Sequence, residues 1–245
     1  MDFTRDFLER LTKAKKVVFF TGAGISAESG IPTFRGKEGI WNKLKPEELA
    51  SFDAFMKNPD MVWEWYQYRR KIVNEAHPNK GHDAIVSMEK YFESVTVVTQ
   101  NVDNLHIRAG SKKVYELHGN IVRNYCVDCK NPYFATDEYL TSVPECKFCG
   151  GLIRPDVVWF GEFLPEDQFS GAEKAAVSCD ICFVVGTSSV VYPAAYIPLS
   201  AKQNGALIVE VNIEHTELSR QADYTFLGTA GEILPAILGK IKELK

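Results

Sequence analysis

Short apolar runs alternate with amphipathic stretches along most of this chain. The apolar runs lie at 17–20, 95–99, 181–185 and 207–211. Runs of this length are typical of strands that are buried on both faces of a sheet. Segments with helical patterning lie at 2–15, 81–92, 166–178, 193–204 and 230–244. Strands that alternate with helices predict an α/β fold with a parallel sheet and crossover helices.

Two segments interrupt this alternation and are predicted to form a smaller inserted domain. Residues 36–78 are helical in pattern and rich in aromatic side chains, and residues 123–154 carry cysteines among prolines and glycines. The remaining ranges are predicted to form a Rossmann-like sheet domain: 1–35, 79–122 and 155–245. We expect one unit over 1–245, with a ligand in the cleft between its two lobes.

Four of the six cysteines form two Cys-x-x-Cys pairs, Cys126/Cys129 and Cys146/Cys149, with 16 residues between the pairs. This spacing matches structural zinc sites, although a chance pairing is the alternative. Four thiolates fill a tetrahedral shell and leave no position for water or substrate. We therefore expect one structural Zn²⁺ in a zinc-binding module, and we place the chemistry elsewhere.

A third pair, Cys179 and Cys182, has the same spacing but leads directly into an apolar strand. Residues three apart on a strand point to opposite faces, so the two sulfurs are not expected to converge. We interpret both as buried, small apolar side chains.

Composition narrows the class of protein. The chain has 245 residues, 45% of them hydrophobic, which is enough for a substantial core. A net charge of −4 argues against a sequence-independent nucleic-acid binder, so no direct nucleic-acid partner is expected. No apolar run approaches the roughly 18 residues that span a membrane, and the first residues are too acidic for a secretory signal. With cysteines in zinc spacing, this predicts a cytoplasmic protein without a membrane partner.

The segment Gly22-Ala23-Gly24-Ile25-Ser26-Ala27 follows the first predicted strand and fits the G-x-G-x-x-A pattern of dinucleotide sites. Such glycines let the backbone approach a pyrophosphate beside the N–H groups of a helix N-terminus. The acidic residue usual about 20 positions later is absent, so a tight turn without a ligand stays an alternative. Taken alone, the loop would suggest an NAD-dependent oxidoreductase.

Several further segments carry distinctive motifs. The first extends from Gly22 to Arg35, and the others lie at 99–106, 115–119, 154–162, 186–190 and 211–214, with the four cysteines between them. In content and order these motifs resemble the sirtuins, the NAD-dependent protein-lysine deacylases, over nearly the whole chain. The resemblance implies that NAD and an acyl-lysine protein or peptide react to give nicotinamide, O-acyl-ADP-ribose and free lysine.

The same resemblance implies a catalytic role for His118, which lies between an apolar run and a glycine. A neutral imidazole can accept a proton from a ribose hydroxyl near neutral pH. By its residue type alone, a lone histidine is more often structural. We interpret His106, within another motif, as a packing or loop-bonding residue.

Cofactor contacts are likewise implied by the resemblance. Asp103 and the backbone of Ile31 would hold the nicotinamide carboxamide, Asn101 would order the ribose region, Ser188 would bind phosphate, and Asn212 would bind the adenosine ribose. The complete set of expected NAD-binding residues is Gly22, Ala23, Gly24, Ile31, Phe34, Arg35, Gln100, Asn101, Asp103, Gly186, Thr187, Ser188, Asn212 and Glu214. From residue type alone, Asn101 and Asp103 would equally be explained as turn caps.

Two segments are expected to bind the substrate. The family pairs the segment at Val157, Val158 and Phe160 with an extended peptide, and Phe160 would line the lysine channel; a buried strand is the alternative. Tyr66 and Arg69 share a face of a predicted helix, where an arginine beside a phenol could bind a carboxylate. In the sirtuin branch that prefers succinyl- or malonyl-lysine, such a pair lies at the acyl pocket.

The expected activity is therefore removal of acetyl and of succinyl or malonyl groups. For Tyr66 and Arg69, an amphipathic surface helix is the structural alternative. Two other functions stay open from sequence: a mono-ADP-ribosyltransferase, which breaks the same bond of NAD, and a non-enzymatic zinc-ribbon binding module.

Overall fold

The structure is a computed structural model that describes residues 3–35, 39–42, 45–134 and 142–244. Gly36, where the helical insertion is predicted to begin, and residues 135–141 of the predicted zinc module lie outside this description. The helices are α1 (Arg5–Lys13), α2 (Pro46–Leu49), α3 (Phe52–Lys57), α4 (Pro59–Glu75), α5 (Lys80–Met88), α6 (Leu105–Ala109), α7 (Glu166–Ala176), α8 (Tyr196–Gln203) and α9 (Ala230–Leu244). The strands are β1 (Lys16–Thr21), β2 (Ser94–Thr99), β3 (Val114–Glu116), β4 (Gly119–Cys126), β5 (Pro132–Tyr133), β6 (Ile153–Val157), β7 (Ile181–Val185), β8 (Leu207–Asn212) and β9 (Tyr224–Leu227).

Six parallel strands form the main sheet, in the order β3-β2-β1-β7-β8-β9. The four apolar runs of the sequence are its central strands β2, β1, β7 and β8, which confirms the predicted α/β fold. From β1 the chain proceeds outward to β2 and β3, and from β7 it proceeds outward in the other direction. The order therefore reverses between β1 and β7, where open parallel sheets bind ligands at the carboxyl ends of their strands.

Helices cover both faces of this sheet because successive side chains of its strands point to opposite sides. On one face, residues such as Phe19 and Val97 pack against α1, α5 and α9. On the other face, residues such as Phe20 and Val184 pack against α7 and α8. Among the described residues, no helix has the length and apolar character needed to cross a lipid bilayer.

A second sheet of three antiparallel strands, in the order β5-β4-β6, joins the two insertions. The predicted domain boundaries at 122/123 and 154/155 fall inside β4 and β6, so this sheet belongs to both lobes, and the domain division stays a prediction. Helices α3 and α4 pack on the sheet through an apolar cluster that includes Tyr66, Val157 and Trp159. The guanidinium of Arg70 on α4 donates to the Ile121 carbonyl of β4 at 2.8 Å.

The four cysteines of the two pairs lie together at the end of this second sheet, and their Sγ atoms are all within 4.8 Å of one another. Two of the Sγ···Sγ distances are 3.5 Å, between Cys126 and Cys149, and 3.6 Å, between Cys129 and Cys146. A tetrahedral zinc ion with Zn–S bonds of about 2.3 Å separates its sulfurs by about 3.8 Å. The thiolate set therefore fits one structural Zn²⁺, with no open coordination position.

Backbone geometry supports the same assignment. Lys130 and Gly150 follow the second cysteine of each pair and both have positive φ, 60° and 77°. These residues turn the backbone back onto the first cysteine of the pair: the amides of Lys130 and Gly150 donate to the carbonyls of Cys126 and Cys146. The metal site is thus built from two equivalent turns.

Cys179 and Cys182 are buried, as predicted, but the expectation that they face opposite sides is wrong. Cys179 precedes β7 instead of lying on it, and both sulfurs join the apolar cluster on one face of the sheet. Burial raises the pKa of both thiols, to about 12 for Cys179. Neither is a reactive thiolate.

Removal of one zinc ligand is expected to unfold the small domain, because the binding free energy of a structural zinc ion is folding free energy. For Cys126→Ala we expect loss of bound zinc and a melting temperature about 10 °C lower or more, since each kcal/mol shifts Tm by about 2–4 °C at this chain length. Zinc per chain by atomic emission and the thermal melt are the measurements. Cys182→Ala is the control, because it removes a buried thiol and should keep one zinc ion. A soluble Cys126→Ala protein with the wild-type melt would contradict a structural metal.

Candidate active site

A cavity of about 1350 Å³ lies at the carboxyl edge of the main sheet, at the reversal between β1 and β7. Loops that follow β1, β2, β7 and β8 form its walls, because carboxyl ends of parallel strands meet at one edge. On the other side it reaches α4 of the helical insertion and the segment after β6. The cavity is therefore shared between the two lobes, as the sequence predicts.

The glycine loop after β1 forms the floor of this cavity. It continues as a 3₁₀ helix at Ala23–Ser29, and the amide of Gly24 donates to the Gly186 carbonyl at 2.8 Å. A Cβ atom at Gly24 would lie only 2.7 Å from the Cα of Gly186, which itself has a positive φ of 59°. Only glycines allow the two loops to approach this closely.

A buried polar cluster lies directly behind the loop. The Ser26 hydroxyl donates to the Asp103 carboxylate at 2.7 Å, and the Asn101 amide donates to the Gly22 carbonyl at 3.1 Å. Burial raises the pKa of Asp103, while the bonds from Ser26 and from the Leu105 amide oppose that shift. The cluster fixes the loop after β2 against the loop after β1.

His118 is half-buried on the cavity wall, between β3 and β4. Its Nδ1 lies 2.9 Å from the carbonyl oxygen of Gln100. A carbonyl can only accept, so Nδ1 carries the proton of the neutral ring and Nε2 keeps an unshared electron pair. Burial lowers the pKa of His118, with the bond to Gln100 acting in the opposite direction. Burial thus favours the neutral imidazole, whose Nε2 is able to accept a proton.

The next residue determines how the chain leaves this histidine. Gly119 has φ of 78°, and a Cβ atom there would lie 2.2 Å from the Asp156 carbonyl oxygen. The carbonyl of His118 accepts from the amide of Val158 at 2.9 Å. Glycine at 119 therefore lets β4 begin immediately after His118 and pair with the segment around Val157.

Two further histidines lie behind the cavity. His106 is buried and its Nε2 contacts the Thr21 hydroxyl at 2.9 Å, with the ring of His82 at 4.8 Å between centroids. Burial lowers the pKa of His82 to about 4 and that of His106 well below its usual range. Both are neutral core residues, in agreement with the structural interpretation of His106.

The far end of the cavity is lined by the loops after β7 and β8. Gln100 donates to the Thr187 hydroxyl at 2.9 Å, and Asn212 donates to the Thr187 carbonyl at 3.0 Å. Ser188 is half-buried next to them, and Glu214 is exposed. The two bonds to Thr187 connect the loops after β2, β7 and β8, and the bonds of Gly24 and Asn101 connect the loop after β1 to them.

Tyr66 and Arg69 lie at the opposite end, on the face of α4 that borders the cavity. Both are buried, and the guanidinium carbon of Arg69 lies 4.7 Å from the Phe34 ring centroid and 4.9 Å from that of Trp65. Within the described residues, Arg69 has no hydrogen bond or ion pair. Burial raises the pKa of Tyr66 to about 12 and lowers that of Arg69. The carboxylate of Asp103 attracts this charge without forming an ion pair with it. A guanidinium held among aromatic rings, without an ion-paired acid among the described residues, is suited to bind an incoming anion.

The segment after β6 borders the cavity between these two ends. Val157 pairs with Gly119 of β4, whereas Val158 and Phe160 lie beyond the strand. All three line the cavity, and 46% of the Phe160 surface is exposed. The alternative interpretation of this segment as a buried strand therefore holds for Val157, which ends β6, but not for the exposed Phe160.

Nearly all of the expected cofactor and substrate residues line this one cavity. Ile31 and Asp103 do not: the amide of Ile31 donates to the Ser26 carbonyl at 3.3 Å, and the carboxylate of Asp103 faces Ser26. The arginine of the first motif, Arg35, lies exposed at the rim.

Sequence reasoning missed several lining residues. Trp65, four residues before Arg69 on α4, shares its helix face and could have been found from that spacing. Gly228, Thr229 and Ala230 follow β9, whose short and half-buried strand the apolar pattern did not reveal.

The comparisons with known proteins agree with this geometry. The sequence profile of the Sir2 family matches residues 22–193. An NAD-dependent protein deacylase from Aquifex aeolicus (strain VF5) is 52% identical over 231 residues, which cover 93% of this chain and 95% of that protein. The crystal structure of a Sir2 homologue in complex with NAD has a TM-score of 0.93 at 44% identity and covers 100% of this chain and 96% of that one. A complex of Sir2 with a p53 peptide and NAD⁺ has a TM-score of 0.87 at 35% identity, covering 98% of each chain.

The matched residues contain the glycine loop, the Asn101–Asp103 cluster, His118 and the two cysteine pairs. These are the features that shape the cavity and the metal site described above. The resemblance to the sirtuins is thereby confirmed, and the chain belongs to the Sir2 family.

Proposed function

We propose that this protein is an NAD-dependent protein-lysine deacylase. The observation that carries the proposal is a single cavity in which His118, with Nε2 available, lies between the strand-end loops and the Val157–Phe160 segment. The relative from Aquifex aeolicus carries this activity in its name, and a Sir2 structure holds both a peptide and NAD⁺. Nicotinamide, O-acyl-ADP-ribose and free lysine would be the products.

The cavity residues fit NAD by their chemistry. The glycine loop offers closely spaced backbone at the strand reversal, where a pyrophosphate would lie, with Ser188 beside it. Asn212, at the end of β8, offers its side chain to the adenosine ribose, the role that an acidic residue has in other dinucleotide sites. When bound, NAD supplies a positively charged pyridinium as leaving group, so no catalytic metal or strong nucleophile is required.

His118 would act on the ribose next to the nicotinamide. The carbonyl of Gln100 holds Nδ1–H, so Nε2 is the atom that accepts a proton from a ribose hydroxyl. Asn101, fixed to the Gly22 carbonyl, would order the same ribose region. Asp103 and Ile31 would reach the carboxamide only after a rearrangement of the Ser26 contacts, because both are engaged with that residue.

The peptide would bind beside the Val157–Phe160 segment. Backbone pairing accepts many sequences, which suits a protein substrate, and the exposed ring of Phe160 would flank the lysine stem. The partners are therefore acyl-lysine proteins or peptides. A cytoplasmic location, without nucleic-acid or membrane partners, stays a prediction.

The acyl pocket favours an acidic acyl group. Arg69 is a buried cation surrounded by Phe34, Trp65 and Tyr66. Among the described residues it forms no ion pair, although the carboxylate of Asp103 attracts its charge. A succinyl or malonyl carboxylate would compensate that charge through charge-assisted bonds. Acetyl-lysine would fit the same space without this compensation.

The first test measures nicotinamide release from NAD with and without an acyl-lysine peptide. We expect release that depends on the peptide in the wild type and falls by about 10²-fold or more in His118→Ala, as is typical for loss of a general base. His77→Ala, which alters an exposed histidine outside the cavity, is the control. Peptide-independent release, with labelled ADP-ribose left on protein, would instead indicate a mono-ADP-ribosyltransferase.

The pH dependence provides a second test. His118 must be neutral to accept a proton, and burial lowers its pKa, so the neutral form persists below pH 6.5. We expect the acidic limb of kcat/KM to lie below pH 6.5, with activity lost as the pH falls further. Stability falls over the same range, since the unfolded chain protonates histidines that are neutral when folded. Circular dichroism at each pH separates the two effects, and an acidic limb above pH 6.5 in a folded protein contradicts the assignment.

A third test compares succinyl and acetyl removal from one peptide. We expect Arg69→Met to lower the ratio of succinyl to acetyl kcat/KM by about 10- to 100-fold, because charged hydrogen bonds contribute about 1.5–3 kcal/mol. Lys71→Met removes an exposed cation from the same helix and should leave the ratio as in the wild type. Equal loss of both activities in Arg69→Met would remove the case for a carboxylate site.

A further inference from the structure

One buried side chain connects the peptide-binding segment to the acyl pocket. Trp159 lies between Val158 and Phe160, but only 1% of its surface is exposed because its indole turns away from the cavity. Its Nε1–H donates to the hydroxyl oxygen of Tyr66 at 2.9 Å. This is the only hydrogen bond of the Tyr66 hydroxyl within the described part of the chain.

The indole is held firmly on both sides. The guanidinium carbon of Arg154 lies 3.5 Å from the Trp159 ring centroid, and Phe55 packs with its centroid at 5.2 Å. Arg154 forms a bidentate ion pair with Glu162, at 2.5 and 2.8 Å. Glu162 also accepts from the backbone amide of Trp159 at 2.8 Å. These contacts from Arg154, Phe55 and Glu162 together fix the direction of the indole N–H.

A phenol has one proton to donate and accepts through its oxygen. Because the indole N–H occupies one side of the Tyr66 oxygen, the hydroxyl proton must point elsewhere. Burial raises the pKa of Tyr66 to about 12, so this proton is retained at neutral pH. Tyr66 borders the cavity next to Arg69, so a carboxylate bound beside Arg69 is a candidate acceptor for this proton.

We propose that Trp159 is a positioning residue for acyl specificity: its N–H turns the Tyr66 hydroxyl into a donor directed at the carboxylate of an acidic acyl group. The inference rests on the proposed function, in particular on Tyr66 and Arg69 as the acyl pocket. A hydroxyl that accepts one hydrogen bond also becomes a stronger donor, because connected hydrogen bonds polarise one another. The Arg154 cation over the indole adds to this polarisation of the N–H group.

Core packing alone predicts a different outcome. If Trp159 only fills volume, its replacement should weaken the fold and lower both deacylation activities in proportion. If it orients the Tyr66 hydroxyl, its replacement should lower succinyl removal more than acetyl removal. The ratio of the two kcat/KM values on one peptide therefore separates positioning from packing.

The experiment is a double-mutant cycle of Trp159→Phe and Tyr66→Phe, read as the succinyl-to-acetyl ratio at saturating NAD. We expect Trp159→Phe to lower the ratio about 3- to 10-fold, within the usual range of coupled contacts. In the Tyr66→Phe background, the same change should have no further effect on the ratio, because the oxygen that accepts the bond is gone.

Trp63→Phe is the matched control. Trp63 is also fully buried, with the guanidinium of Arg70 5.5 Å from its ring centroid, but its Nε1 has no partner among the described residues. The loss of volume is the same, and the ratio should stay at the wild-type value. Replacement of Trp159 by β-(3-benzothienyl)alanine, which keeps the shape and lacks the N–H, covers the case in which Trp159→Phe fails to fold.

The outcomes are distinguishable. A wild-type ratio in Trp159→Phe or in the benzothienyl variant overturns the positioning role, as does an equal further loss in the Tyr66→Phe background. If Tyr66→Phe and Arg69→Met both keep the wild-type ratio, the acidic acyl pocket itself is wrong, and Trp159 has nothing to position. Loss in both single variants without further loss in the double variant supports the inference.

Discussion

The architecture of the site depends on the close contact between two backbone loops at the reversal of the main sheet. The loop after β1 and the loop after β7 meet at Gly24 and Gly186, with an amide-to-carbonyl bond of 2.8 Å and no room for a Cβ atom. Backbone atoms, not bulky side chains, therefore form the floor of the cavity. Every other element of the site is placed relative to this floor.

Above the floor, polar side chains are fixed mainly by one another. Asn101 and Asp103 bond to the glycine loop and to Ser26, and Gln100 bonds through its carbonyl to His118 and through its amide to Thr187. Because these groups are buried, breaking one bond would leave its partner without a hydrogen bond, which costs free energy. The bonded arrangement is therefore favoured over alternatives. The four residues 100–103 after β2 thus position His118, the glycine loop and the far wall of the cavity.

Local sequence patterns were sufficient for the four central strands of the main sheet and for the metal site. The apolar runs at 17–20 and 181–185 identify central strands because burial on both faces leaves no polar position. The two-residue spacing between Cys126 and Cys129 places both thiolates on one tight turn, as in structural zinc sites. Most of the cavity lining followed from the family motifs, since those motifs occupy strand ends.

What escaped prediction depends on contacts between distant parts of the chain. The pairing of β4 with β6 and the bond from Trp159 to Tyr66 join residues far apart in sequence, and no local pattern encodes them. Cys179 was misjudged because it lies before β7 (Ile181–Val185), so the alternation of strand side chains does not apply to it. Ile31 and Asp103 lie behind the wall because their polar groups bond to Ser26, a competition that residue type does not reveal.

Strand β4 begins at the residue after His118 and ends at the first metal ligand, Cys126. At about 3.3 Å per residue, these eight residues span at most about 25 Å between His118 and the cysteine cluster, and a register shift between Asn120 and Asn124 shortens that span. The metal site, which has no free coordination position, therefore holds the end of β4 that lies farthest from His118. Loss of the metal would therefore loosen the far end of the same strand that leads away from His118.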